Sequence, residues 1–244
     1  MANSDSQQFS PLLLARISGA LTLAGILTGA FGIGYVENTF FVTGNAAATI
    51  HNILAHEELF RWGFAAHLFE MLLNIAGEIT FFVLIRRVNG IIAAIALACG
   101  LVGTAIESLN LLNAYLPLKL AIEGHALGVF SPEQVQALSY TFVQLQDVGL
   151  LISFAFYGLD ELASGFLIFR SGFLPRVIGV LLAISGICYF THSFLSFLSP
   201  SLDERLYPYI LYACLPGEGS TALWMATVGL NVAKWKAWTM SEGQ

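Results

Sequence analysis

The 244-residue sequence is 57% hydrophobic, 13% aromatic and only 11% charged, with a mean hydropathy of +0.74. Soluble globular domains carry about 25% charged residues, so a water-soluble enzyme with a polar exterior is excluded. With 10 Lys+Arg against 16 Asp+Glu, the net charge is −6 and no basic stripe exists. Nucleic acid is thereby excluded as a partner, and what remains is a multi-pass protein whose partner is the lipid bilayer.

Crossing roughly 30 Å of hydrocarbon takes about 20 mostly apolar residues. Six stretches qualify, at about 12–35, 62–86, 90–116, 145–169, 174–198 and 207–233. The apolar run after Arg16 lacks the basic start and small-residue cleavage site of a signal peptide, so it reads as a first, uncleaved span. Between the first two spans, Ile50, Ile53, Leu54 and Leu59 predict a short amphipathic helix lying on the membrane surface. Ser131 and Pro132 form a helix start, N-cap and first position, of a helix expected to run unbroken over 132–169. In the last span, Pro216-Gly217-Glu218-Gly219 predicts a helix interruption. Ten-residue apolar/polar alternation does not recur, which excludes a spanning barrel. The fold class is therefore all-α: a six-transmembrane-helix bundle, one integral membrane domain over 1–244. A weak parallel repeat runs through it. Residues 78–87 align without gaps with 161–170, and 91–100 with 177–186, relating the hairpin of spans two and three to that of spans four and five.

Basic residues set the orientation. Arg16, Arg86, Arg87, Arg170, Arg176, Lys234 and Lys236 fall on one side of this topology, and Arg61, Lys119 and Arg205 on the other. Both termini are expected in the cytoplasm of a cell with an inner membrane. Loops 36–61, 117–144 and 199–206 then face outward, carrying the solvated His51, His56 and His125. The three cysteines, Cys99, Cys188 and Cys214, read as small buried hydrophobes.

Certain motifs carry a family likeness. They are Asn52-Ile53-Leu54-Ala55-His56-Glu57, Leu59-Phe60-Arg61, Phe130-Ser131-Pro132-Glu133-Gln134, and Arg170-Ser171-Gly172-Phe173-Leu174-Pro175-Arg176 followed by Gly179-Val180-Leu181-Leu182. Together they resemble the bacterial integral membrane family of unknown function 4386, over roughly 12–232. The resemblance implies the helical membrane topology and brings no activity.

The acids inside the spans are the informative feature. Glu70, Glu78, Glu107, Asp160, Glu161 and Glu218 fall within predicted helices, with Asp147 at an outer end, and no Lys or Arg lies deep beside them. At about 2.5–3.5 kcal/mol each at the bilayer centre, six ionised, lipid-facing acids would cost roughly 15 kcal/mol. They are expected to face the interior. His67, Glu70, Asn74 and Glu78 share a helix face, as do Glu107 and Asn110 on the third span. Gln144, Asp147 and Glu161 share another on the fourth, with Asp160 turned elsewhere. Glu70, Glu107, His192 and Glu218 each lie 16 or 17 residues from the basic edge, about 24–26 Å at 1.5 Å per residue. These positions predict a polar, outward-opening pocket floored by Glu78 and Glu161. Aromatic walls would come from Phe64, Phe69, Phe81, Phe154, Phe156, Tyr157, Tyr189 and Trp224.

Three readings follow. In the first, Glu70, Asn74, Glu107, Asn110, Asp147, Asp160, Tyr157 and Trp224 bind a cation, protons or a hydrophobic or cationic small molecule, for binding or transport. In the second, Glu78, Glu161 and Glu218 do acid–base chemistry on a lipid or prenyl substrate. Residues 74–78 are loosely similar to the second-helix acid motif of membrane-bound meroterpenoid cyclases. In the third, His67, Glu70, Glu107, His192 and Glu218 hold a divalent metal, the one cofactor these side chains suit. Interhelical glue is the bland alternative to all three.

Overall fold

The computed structural model describes residues 10–123 and 130–241, so His125 lies outside the described residues. Every element among them is a helix. The first, α1 (Pro11–Phe40), is α-helical to Gly29 and then widens into a π-helical stretch over Ala30–Glu37. It is followed by α2 (Ala46–Ala55), α3 (Glu57–Ile85), α4 (Gly90–Glu123) and α5 (Pro132–Ser171). The chain continues through α6 (Arg176–Leu198), α7 (Pro200–Thr227) and a final α8 (Val232–Ser241).

Local chemistry sets the breaks. Asn45 accepts from the Ala48 N–H and starts α2. Ser131 and Gln134 form a capping box under Pro132, so α5 does run unbroken, for 40 residues. At about 1.5 Å per residue it is some 60 Å long, twice the hydrocarbon thickness, and one end stands clear of it. Gly172, at φ 68°, ends it in the left-handed conformation that glycine adopts freely. Two expectations need correction. α4 continues through Pro117 to Glu123, so part of the expected 117–144 loop is helix. α7 passes unbroken through Pro216 and Gly217, so the expected interruption is absent.

Five of these helices, α1, α3, α4, α5 and α6, are long and apolar enough to cross a membrane. α7 has the length, 28 residues, but carries Asp203, Glu204, Arg205 and Glu218. The six long helices close into a ring in chain order. α1 packs on α3, α3 on α4, α4 on α5, α5 on α6, α6 on α7, and α7 returns to α1. Glycines bring the backbones together. A Cβ at Gly165 would sit 2.6 Å from the Gly179 carbonyl, and one at Gly217 2.6 Å from that of Leu181. Gly217 therefore marks where α7 seats on α6 rather than where it breaks.

The burial pattern is inverted relative to a protein in water. Leu109 is 69% exposed and Ile91 77%, while His67, Thr104, Gln146, Ser153 and Ser185 are buried. An apolar surface of this extent is stable against lipid, and the chain is a multi-pass membrane protein. In α2, Ile50 and Ile53 pack into a core with Val36, Phe40, Phe60 and Leu118, leaving Leu54 exposed. At the opposite end of the bundle, α8 is pinned by its tryptophans. Trp235 donates to the Leu84 carbonyl (3.1 Å) and Trp238 to that of Ser171 (2.8 Å), and Arg87 lies over the Trp235 ring at 4.3 Å.

Candidate functional site

The ring encloses a cavity of about 310 Å³, and all six long helices line it. α1 contributes Ser18 and Thr22; α3 contributes Glu70, Asn74, Glu78 and Phe81; α4 contributes Glu107. From α5 come Phe154, Tyr157, Asp160, Glu161 and Ser164, from α6 Tyr189, and from α7 Glu218 and Thr221. Six carboxyl groups thus meet in one space, and no Lys, Arg or His is among the lining residues.

The carboxyls are arranged in pairs. Glu78 and Asp160 face one another across the α3–α5 gap, both against Gly100, and the Ser164 hydroxyl donates to Asp160 Oδ1 at 3.1 Å. Gly100 makes room for them, since a Cβ there would sit 2.8 Å from Glu78 Cδ and 3.1 Å from Asp160 Oδ2. Glu161 and Glu218 form a second pair, with Tyr189 beside them in the lining. Glu161 Oε2 has no donor among the described residues. Glu70 stands alone: its Oε2 is buried without a partner among the described residues, and the carboxyl presses against Gly29, where a Cβ would meet it at 2.5 Å. Buried carboxyls facing one another without a basic side chain are stable only with a proton or a cation between them.

Behind Glu107 the polar structure continues away from the cavity. Its Oε2 accepts from the Tyr157 hydroxyl (2.8 Å), and its Oε1 lies 3.1 Å from His67 Nε2. His67 Nδ1 lies 2.9 Å from Glu37 Oε1, and Gln146 donates to Glu37 Oε2 at 2.9 Å. Both imidazole contacts are hydrogen bonds only if two protons are shared among the three groups. Either an imidazolium sits between two carboxylates, or a neutral imidazole meets one protonated glutamic acid. The triad carries one net negative charge in both forms, offset by the Gln146 and Tyr157 donors.

The expected acids and histidines divide in two. Glu70, Asn74, Glu78, Glu107, Tyr157, Asp160, Glu161 and Glu218 converge on the cavity, Asp160 included although it was expected to turn away. Asn110 is instead committed to helix contacts: it donates to the Gln146 carbonyl at 2.7 Å and accepts from Asn113. Asp147 is exposed, and the buried neighbour on its helix is Gln146. Trp224 lines a separate surface hollow with Arg176 and Lys234. Of the expected aromatic walls, Phe81, Phe154, Tyr157 and Tyr189 line the cavity, whereas Phe64 packs on Tyr115 and Phe69 is exposed.

The five-residue metal set is not assembled. His192 pairs with Asp203, Nδ1 to Oδ1 2.7 Å, and is not among the cavity's lining residues. Among the described residues no group of three or more His, Cys, Asp or Glu is placed to hold a metal. Two participants carry no signal in the sequence: Glu37 lies past the expected end of the first span, and helix spacing points to Gln144 and Asp147 rather than Gln146.

A family model described as a domain of unknown function (DUF4386) matches residues 17–229. The chain belongs to the DUF4386 family. No curated protein and no solved structure matches it. The DUF4386 match runs from the second turn of α1 to just past the end of α7 and thus contains the whole cavity.

Proposed function

We propose that this DUF4386 protein crosses the inner membrane six times as one domain, with both termini cytoplasmic. Its cavity binds an organic cation, as the recognition site of a binding or transport protein. The observation that carries this reading is the convergence of six carboxyl groups on one cavity with no basic side chain in its lining. Uncompensated acids at membrane depth mark cation and proton pathways. The aromatic rings in the same lining, Phe81, Phe154, Tyr157 and Tyr189, supply the faces that attract quaternary ammonium groups.

Support for a sixth crossing comes from α7, which at about 1.5 Å per residue is roughly 42 Å long and is seated between two apolar spans. Its Glu218 turns into the cavity rather than toward lipid. Cytoplasmic termini are favoured because Arg87 meets Trp235 and the Asn231 N–H donates to the Phe173 carbonyl. Those contacts gather the basic ends of α3, α5, α6 and α8 at one end of the bundle. For the parallel repeat, the equivalent Gly100 and Gly186 both sit at close helix contacts, Gly100 against the Glu78 carboxyl and Gly186 against the α5 backbone at Gly158 and Leu162.

Tetraethylammonium is a suitable probe. Calorimetric titration of the purified protein should show binding, weakened at least tenfold by Glu70→Gln and by Glu218→Gln. Unchanged affinity in both variants overturns the reading. The enzymatic alternative keeps one support, the Glu78–Asp160 pair beside Phe81, since such a pair holds a proton ready to donate. Turnover of a prenyl epoxide that is lost in Glu78→Gln would favour it over cation binding.

A further inference from the structure

Three features extend beyond the cavity: the His192–Asp203 pair, the basic hollow at Arg176 and Lys234, and the Glu37–His67–Glu107 triad. Only the triad reaches the cavity at one end and, at the other, a residue next to an exposed acid. Glu107 is the shared residue, lining the cavity while bonding His67. Beyond His67 the chain continues to Glu37, whose Oε2 accepts from Gln146, the residue next to exposed Asp147. Glu37, His67 and Glu107 are respectively 7%, 1% and 4% exposed, so bulk water does not short-circuit the route.

We propose that the protein exchanges protons for organic cations, and that Glu107, His67 and Glu37 carry the proton between the cavity and the water at Asp147. The inference rests on the cavity taking a cation. The exchange balances one for one. A cation entering the cavity displaces one proton from its carboxyls onto Glu107 as Glu107 passes the proton it already holds to His67 Nε2. Nδ1 gives its own proton to Glu37, Glu37 releases it to water, and the triad again holds two protons. The two proton arrangements of the triad, equal in charge, are the resting states between transfers. His67 is in contact with Glu37 from α1 and Glu107 from α4, with Glu70 on its own helix nearby; Tyr157 of α5 bonds Glu107, and Glu218 of α7 shares the cavity with Glu70 and Glu107. None is basic. A structural clamp would need neither the cavity contact nor the exposed terminus.

The test uses proteoliposomes that enclose a pH-sensitive dye. Tetraethylammonium added outside the wild-type vesicles should alkalinise the interior. Glu37→Gln preserves the shape and partners of the chain yet cannot take up the proton, and His67→Gln interrupts the chain midway. Neither residue lines the cavity, so both variants should bind tetraethylammonium within about threefold of wild type while proton movement falls at least tenfold. Wild-type proton rates in Glu37→Gln overturn the proposal, even if His67→Gln fails to fold. Wild-type protein that binds the probe but moves no protons also overturns it and leaves the cavity reading standing. Absence of binding defeats the cavity reading itself.

Discussion

His67→Leu isolates the electrostatic role of the triad. Leucine fills nearly the same volume, so the packing loss is small, and the main change is removal of the group between two buried carboxyls. Glu37 and Glu107 are 7% and 4% exposed, and each would lose its contact at 2.9 and 3.1 Å. Removing one partner of a buried ionic contact costs about 3–5 kcal/mol. The Gln146 and Tyr157 donors remain, which places the expectation at the low end of that range. For chains of this size each kcal/mol shifts Tm by about 2–4 °C, so thermal unfolding in detergent should drop by roughly 6–12 °C. Adding Glu107→Gln to the leucine variant removes one stranded charge and should recover about half of the loss. A drop under about 2 °C, or a double variant no more stable than the single one, would refute the electrostatic reasoning.

The helix contacts make a paired prediction. Gly165→Ala places a methyl 2.6 Å from two backbone atoms of α6 and should cost about 1–3 kcal/mol through overpacking. Gly219→Ala meets nothing within 4 Å and should stabilise α7 by about 0.5–1 kcal/mol, the helix penalty of glycine. Both are read as opposite shifts in Tm, and shifts of the same sign contradict the packing described. Ser131→Ala removes the hydroxyl that caps α5. It should cost about 1 kcal/mol and speed amide exchange at the start of that helix without affecting tetraethylammonium binding.

Much of the fold is legible in the sequence because hydropathy reports helix length, and the capping signals at Ser131 and Gly172 are local. The interior acids are legible for a related reason: their cost in lipid forces them inward whatever the packing. Counting residues from the basic edge, however, gives depth along a helix and not the direction a side chain takes. It places His192 level with Glu218, but not that Asp203, beyond the turn at Ser199, folds back to hold His192. Asp160 and Glu161 show the same limit, since neighbours about 100° apart on a helix both reach a cavity that the ring wraps around. Glu37 stayed hidden because the π-helical stretch carries α1 beyond the expected end of its span. Pro216-Gly217 reads as a break in one dimension, whereas in three the glycine is a contact with α6.

The occupant of the cavity decides the matter most directly. A crystal structure with tetraethylarsonium, a quaternary cation whose arsenic scatters anomalously, should show one strong peak within the ring, among Glu70, Glu107, Glu161 and Glu218 and against the faces of Tyr157 or Tyr189. A cavity without that peak at saturating tetraethylarsonium, or peaks confined to the lipid-facing surface, would contradict cation recognition by the six carboxyls.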